Sequence, residues 1–120
     1  MNFCWCTINV KDVEKSIQFY TEMVGLRLDR RFSPRPGMEL VFLDDEKGNE
    51  IELIKPLGEI IQSDKENISI GFTVASMDKA IELAKSQDIT IVEGPFVMPN
   101  VKFFFVRDPD GFKIQIIEKK

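Results

Sequence analysis

Residues 10–20 read Val10-Lys-Asp-Val-Glu-Lys-Ser-Ile-Gln-Phe-Tyr20, and residues 74–84 repeat much of this pattern as Val74-Ala-Ser-Met-Asp-Lys-Ala-Ile-Glu-Leu-Ala84. A second echo, at nearly the same offset, pairs Gly48-Asn-Glu-Ile-Glu-Leu-Ile54 with Gly111-Phe-Lys-Ile-Gln-Ile-Ile117. Two repeated patterns at nearly the same offset indicate a duplicated module. We therefore expect one domain over residues 1–120, built from two repeats at about 3–56 and 68–118 with matching positions related by a pseudo-twofold.

Each repeat predicts one helix among four strands, in the order β-α-β-β-β. Asp12 and Ser76 have side chains that suit N-caps, and apolar residues recur at helical spacing after each of them. Helices are therefore expected from Val13 to about Met23, where Gly25 ends the first, and from Met77 to about Gln87. The polar segment 56–67 is expected to join the repeats.

The strands are expected at 3–10, 26–32, 40–43 and 50–54 in the first repeat, and at 68–74, 89–92, 102–106 and 113–117 in the second. Gly94-Pro95 and Met98-Pro99-Asn100 are interpreted as parts of a loop. This order predicts an α+β fold of two tandem βαβββ modules. We expect them to form a curved mixed sheet around a cavity, with the helices on its outer face.

Composition excludes several classes of function. The net charge is −4, and the one basic cluster, Arg27, Arg30 and Arg31, is typical of a solvated strand edge. No nucleic-acid partner is expected, because backbone binding needs a broad basic face. The absence of a long apolar run and of a secretory signal indicates a cytoplasmic protein without a membrane partner.

The chain contains no histidine and two cysteines, which excludes Ser-His-Asp and Cys-His catalysis within it. Cys4 and Cys6 are expected to be small buried thiols in a reducing compartment. They are too far apart along one strand for an unstrained bridge.

Alternation along the strands assigns one set of side chains to the helices and the other set to the cavity. The cavity set includes Trp5 and Thr7 with Glu50 and Glu52, and the matching strands supply Ser69, Lys113 and Gln115. Phe104, within the run of three phenylalanines at 103–105, is a further candidate, although one strand cannot turn all three to one face. The candidate ligand-binding residues are thus Trp5, Thr7, Glu50, Glu52, Ser69, Phe104, Lys113 and Gln115.

The repeated stretch at 10–20, the pair Gly25-Leu26 and the run Asp108-Pro-Asp-Gly-Phe-Lys-Ile-Gln-Ile-Ile-Glu118 resemble the vicinal oxygen chelate superfamily. That group includes glyoxalase I, bleomycin-resistance proteins, extradiol dioxygenases and fosfomycin-resistance enzymes. The resemblance covers nearly the whole chain, and bacterial glyoxalase I is the branch most similar in pattern. It implies the fold more strongly than the function, since this fold hosts many activities.

The resemblance also implies where a divalent metal would be held. Family ligands usually lie at four positions, where bacterial glyoxalase I has His, Glu, His and Glu, and these positions fall here on Trp5, Glu52, Ser69 and Gln115. Only Glu52 keeps the residue type, because the indole nitrogen is a donor only and hydroxyl and amide oxygens are poor ligands for zinc or nickel. We therefore expect no metal and no other cofactor.

Three functions remain open. The first is a metal-free binding protein for a small planar or cationic molecule, with Trp5 as a stacking surface and Glu50 and Glu52 as acceptors. The second is a glyoxalase-type lyase or isomerase of the lactoylglutathione lyase kind with a degenerate site, in which Glu52 is the catalytic candidate. The third is a ligand-free dimeric or regulatory domain, in which Trp5 fills the cavity and Glu52 pairs with Lys113 or Gln115. A homodimer is expected, because the open sheet face exposes apolar surface.

Overall fold

The computed structural model of the protein describes residues 1–60, 65 and 67–119. The chain divides into two units, Met1–Gln62 and Ser63–Lys120. The joint expected at 56–67 lies partly outside the described residues. Each unit contains one helical segment and four strands, so the predicted α+β fold of two tandem βαβββ modules is confirmed.

The first unit begins with strand β1 (Trp5–Asn9), followed by helix α1 (Val13–Gln18), whose last turn continues as a π-helical segment (Phe19–Met23). Strands β2 (Arg27–Phe32), β3 (Glu39–Asp44) and β4 (Glu50–Lys55) complete it. The sheet order is β1-β4-β3-β2. Strands β1 and β4 are parallel, and the other pairs are antiparallel.

The second unit repeats this architecture with β5 (Ser69–Thr73), α2 (Met77–Ser86), β6 (Glu93–Val97), β7 (Val101–Arg107) and β8 (Lys113–Lys119). Its sheet order, β5-β8-β7-β6, matches that of the first unit strand for strand. Strands β5 and β8 are parallel and the other pairs antiparallel. Both sheets are therefore mixed, as the duplicated sequence predicts.

The predicted helix caps are confirmed. The Asp12 carboxylate accepts a hydrogen bond from the Lys15 backbone N–H at 3.1 Å, and the Ser76 hydroxyl accepts one from the Lys79 N–H at 3.2 Å. Each satisfies a backbone donor that lacks a partner within its helix. The first helical segment ends as expected at Gly25, whose φ of 89° is the left-handed conformation that glycine adopts without strain.

The core of each unit lies between its helix and one face of its sheet. Val41, Leu43 and Leu53 are fully buried in the first unit, where α1 packs on β4. Ile114 and Ile116 are buried in the second unit, where α2 packs on β8. Burial of each such side chain stabilises the fold by about 1.5–3 kcal/mol. The alternation predicted from the sequence thus holds along β4 and β8.

The strand predicted at 89–92 is wrong. The backbone N–H of Ile89 donates to the Ala84 carbonyl at the end of α2, so this residue closes the helix. The strand lies instead at Glu93–Val97, across the segment that the sequence indicated as a loop. It accommodates a cis Gly94–Pro95 bond and a register shift between Glu93 and Phe96, which an edge strand tolerates.

Candidate functional site

The open face of the first sheet, opposite the helix, is built from rows of side chains that cross all four strands. One row runs from Thr7 through Glu52 and Phe42 to Arg30. Trp5 lies in the next row, opposite Glu50. Trp5, Thr7, Glu50 and Glu52 therefore share one face, as the alternation predicted.

Trp5 lies on this face with 42% of its surface exposed. Its ring meets the Phe42 ring edge-on, with centroids 5.3 Å apart and an interplanar angle of 80°. An edge-to-face pair of this kind contributes about 0.5–1.5 kcal/mol beyond area burial. Phe42 is only 4% exposed, so it anchors the indole while the indole itself stays accessible.

Arg30 covers the Phe42 ring from the edge strand, with its guanidinium carbon 3.7 Å from the ring centroid. Its Nη1 donates to Asp29 at 2.6 Å and to Glu50 at 2.8 Å. These two carboxylates, with Asp29 the stronger, raise the pKa of Arg30 above its usual value. The charge pattern of the sequence predicts Arg30 only at a solvated strand edge, so this residue of the face was missed.

The two glutamates of the face differ in their partners. Glu50 forms an ion pair with Arg30. Glu52 accepts a hydrogen bond from the Thr7 hydroxyl at 2.7 Å through Oε1, and no cation of the described part of the chain pairs with it. Glu52 is half-buried, so it is a carboxylate held in place by a neutral donor, with its second oxygen available.

At the margin of the same face, Arg27 donates to the Asp44 carboxylate at 2.9 Å. This hydrogen bond holds the pKa of Asp44 below its usual value, and the Glu46 backbone N–H contributes in the same direction. The Asp44 side chain is largely covered, whereas Arg27 is more than half exposed. The pair links β2 to β3 beside the row that contains Trp5.

The second sheet carries a matching but charge-inverted arrangement. Lys113 lies 4.7 Å from the Phe105 ring centroid and donates to Glu93 at 2.7 Å. In the first unit the edge strand β2 supplies the cation Arg30, and β4 supplies the anion Glu50. In the second unit the edge strand β6 supplies the anion Glu93, and β8 supplies the cation Lys113. Each open face thus has an ion pair laid against a phenylalanine ring.

The open face of the second unit also contains Ser69 and Gln115, which lie on β5 and β8. A Cβ atom added to Gly71 would lie 3.5 Å from the Gln115 Oε1, so the amide packs over this glycine. The ring centroids of Phe105 and Phe103 are 5.9 Å apart, and those of Phe103 and Phe96 are 5.1 Å apart. These three rings form an aromatic strip beside the Lys113–Glu93 pair.

The prediction that Phe104 lines this face is wrong. Phe104 is fully buried (0% exposed) and pairs with Ile116 on the helix side of the sheet. Because side chains alternate along a strand, Phe103 and Phe105 occupy the open face instead.

The prediction that both thiols are buried is wrong for Cys4, which is exposed. Cys6 is half-buried, and burial raises the pKa of its thiol.

The residues at the four positions where the family resemblance implies metal ligands do not fit an ion. Trp5 offers no lone pair, Ser69 a neutral hydroxyl and Gln115 one amide oxygen. Glu52 is the one carboxylate of the set, and imidazole is missing, whereas nickel and zinc favour nitrogen and magnesium favours more oxygen anions. Across residues 1–60, 65 and 67–119, no group of three or more His, Cys, Asp or Glu side chains is placed to hold a metal.

A cleft of about 480 Å³ lies elsewhere in the first unit, where Val10 and Lys11 face the segment from Lys55 to Ile60. It contains none of the residues of the Trp5 face. Its lining includes the charged side chains of Lys11, Lys55 and Glu59. Among the described helices, none is long and apolar enough to cross a membrane.

The fold and the order of its modules agree with the comparisons to known proteins. Residues 3–116 match the Glyoxalase/Bleomycin resistance protein/Dioxygenase superfamily, so the chain belongs to this superfamily. It is similar to the lactoylglutathione lyase of Haemophilus influenzae, with 32% identity over an alignment of 123 positions, gaps included. The alignment covers 94% of this chain and 89% of the relative.

Two solved structures extend this comparison. The trypanothione-dependent glyoxalase I of Leishmania major is similar with a TM-score of 0.82 and 25% identity, over 98% of this chain and 86% of that chain. An antibiotic-binding protein from a Streptomyces species has a TM-score of 0.79 and 17% identity, over 100% of this chain and 98% of that chain. At that identity the second likeness shows the fold alone.

Proposed function

We propose that this protein is a metal-free small-molecule-binding protein of the glyoxalase/bleomycin-resistance type. The observation that carries the proposal is the exposed Trp5 ring, which is anchored by Phe42 at the position where family enzymes hold a metal ligand. The ligand is a small molecule with a planar ring. It stacks on the indole and reaches the free oxygen of Glu52.

The face suits such a ligand for two physical reasons. A large ring whose orientation is fixed by a buried neighbour loses little rotational freedom when a ligand stacks on it. A carboxylate that is held by the Thr7 hydroxyl and has no cation partner among the described residues gains most from a ligand that supplies a hydrogen-bond donor or a positive charge. The antibiotic-binding protein from Streptomyces supports the proposal only in that its fold is the same.

The competing function is that of a lactoylglutathione lyase, which the relative from Haemophilus influenzae favours. Against it stands the set of groups at the four metal positions, of which Glu52 alone is a carboxylate and none is an imidazole. Metal analysis of the protein purified without chelator separates the two functions. Stoichiometric nickel or zinc that is lost in Glu52→Ala supports the lyase and contradicts the binding protein.

Calorimetric titration with a panel of planar aromatic compounds, both neutral and cationic, tests the proposal. The wild-type protein is expected to bind at least one of them, and Trp5→Leu is expected to weaken that binding at least tenfold. Phe32→Leu is the matched control, because Phe32 is another exposed aromatic residue of the first sheet. Equal losses in both variants contradict a specific role for Trp5, and the absence of binding across the panel favours a ligand-free dimeric or regulatory domain.

The proposal includes a homodimer in the cytoplasm. Phe32 exposes apolar surface at the edge strand of the first sheet, and surface of this kind is commonly covered by a partner. Sedimentation at micromolar concentration is expected to give twice the chain mass of 13.8 kDa. A purely monomeric profile contradicts the dimer and leaves the binding proposal in place.

A further inference from the structure

We infer that Arg30 is a specificity-determining residue of the Trp5 face and that the ligand is a planar zwitterion, with its oxyanion toward Arg30 and its amine toward Glu52. This inference rests on the proposed binding function and names the chemical class of its ligand. Glu50 and Glu52 by themselves indicate a preference for a cationic ligand, whereas Arg30 adds a preference for an oxyanion on the same molecule.

Arg30 has donors to spare. Its Nη1 makes both ion pairs, with Asp29 and with Glu50, while the guanidinium has five N–H groups in a planar fork. Nε and Nη2 have no hydrogen-bond partner within the described residues. Contact with the Phe42 ring at 3.7 Å holds the guanidinium plane against the sheet, and the side chain is 43% exposed. The free edge is therefore preorganised for a bidentate contact with a carboxylate or similar oxyanion.

Glu52 lies in the same row, with Phe42 between it and Arg30. Neighbouring strands are about 4.8 Å apart, so the backbones of Arg30 and Glu52 are separated by roughly 10 Å. A molecule that bridges their side chains therefore needs only a short planar ring system between its two charged groups. Its path crosses the region where Trp5 contacts Phe42, which allows stacking and both polar contacts in one binding mode.

The charge balance selects a zwitterion over an anion. Asp29 and Glu50 already surround Arg30, and Glu52 adds a carboxylate that no cation pairs with in the part of the chain that the structure describes. A purely anionic ligand meets net repulsion, whereas a cation leaves the Arg30 donors unused. A zwitterion with separated charges satisfies both ends without adding net charge.

Three matched probes test the inference: 6-(aminomethyl)-2-naphthoate, its methyl ester, and its N-acetyl derivative. They share one ring and are zwitterionic, cationic and anionic, respectively. Binding is followed by calorimetry and by the single indole N–H resonance of Trp5, since the chain has one tryptophan. The zwitterion is expected to bind about tenfold more tightly than the ester, and the N-acetyl anion is expected to bind weakest.

Arg30→Met is expected to remove the preference for the zwitterion over the ester while leaving ester affinity within about twofold. Arg30→Lys is expected to restore only part of it, because an ammonium cannot form the planar fork. Arg35→Met is the control, since it removes an equal charge from an exposed loop. The circular dichroism of each variant establishes that it is folded.

Equal affinity of the wild-type protein for the zwitterion and the ester overturns the inference. So does an equal loss of both in Arg30→Met. If compounds of the wider aromatic panel bind but none of the three probes does, the ligand class is wrong and the binding function stands. If nothing in either set binds, the proposed function fails, and this inference fails with it.

Discussion

The guanidinium carbon of Arg30 lies 3.7 Å from the centre of the Phe42 ring, and the exposed Trp5 ring contacts the same ring edge-on. Phe42 thus supports two accessible side chains of opposite chemical character, one a cation and the other a large π surface. Both are fixed by one buried residue. The face owes its order to this arrangement, because neither long side chain has to be immobilised when a ligand arrives.

Truncation of Phe42 is expected to damage stability and site together. Phe42→Ala should lower the free energy of unfolding by about 3–5 kcal/mol, because Phe42 is buried and leaves a cavity. In denaturant titration, Phe32→Ala is the control and should cost no more than about 1 kcal/mol, since Phe32 is exposed. The emission maximum of Trp5 should also shift to longer wavelength in Phe42→Ala, and an unchanged maximum argues that Phe42 does not anchor the indole.

The run of phenylalanines at 103–105 offers a direct check on which side chain is buried. Phe104→Ala is expected to destabilise the protein by about 3–5 kcal/mol, because Phe104 is fully buried. Phe105→Ala should cost clearly less, since Phe105 is half-buried on the open face. Urea unfolding of the two variants measures the difference, and a larger loss for Phe105→Ala contradicts the assignment of faces.

Acid should weaken the contact between β2 and β3. Arg27 lowers the pKa of Asp44 in the folded protein, so the carboxylate stabilises the fold at pH values above its unfolded pKa of about 3.9. That stabilisation is lost as the pH falls through the lowered folded pKa. Chemical denaturation between pH 7 and pH 2.5 is expected to show a smaller acid-induced loss of stability for Asp44→Asn than for the wild-type protein. Identical pH profiles contradict the role of this pair.

Several features could be predicted from the sequence because they are local. Asp12 and Ser76 cap their helices with their own side chains, and Gly25 adopts a positive φ that few other residues tolerate. The alternation of apolar residues along β4 and β8 has a period of two and requires no tertiary information. These signals, read twice because the module is duplicated, gave the correct order of elements and the face of Trp5 and Glu52.

The incorrect predictions fall where pairing between strands determines which face a side chain occupies or where a strand lies. A bulge between Leu28 and Arg30 changes the alternation of β2, so Arg27 and Arg30 both reach the open face, opposite Asp44 and Phe42. The same kind of irregularity allows β6 to continue through Gly94–Pro95. Phe104 was misplaced because three successive phenylalanines give no periodic signal, and only their partners on β8 reveal which one is buried.

The emission of Trp5 tests the central claim most directly, because the protein contains no other tryptophan. The measurement is a fluorescence titration of metal-analysed wild-type protein with planar aromatic compounds that neither absorb nor emit in the tryptophan range. We predict a saturable change in Trp5 emission for at least one compound, weakened in Glu52→Gln and unaffected by prior treatment with chelator. An emission spectrum that no compound alters, or one that responds only when nickel or zinc is bound, contradicts a metal-free binding site on this face.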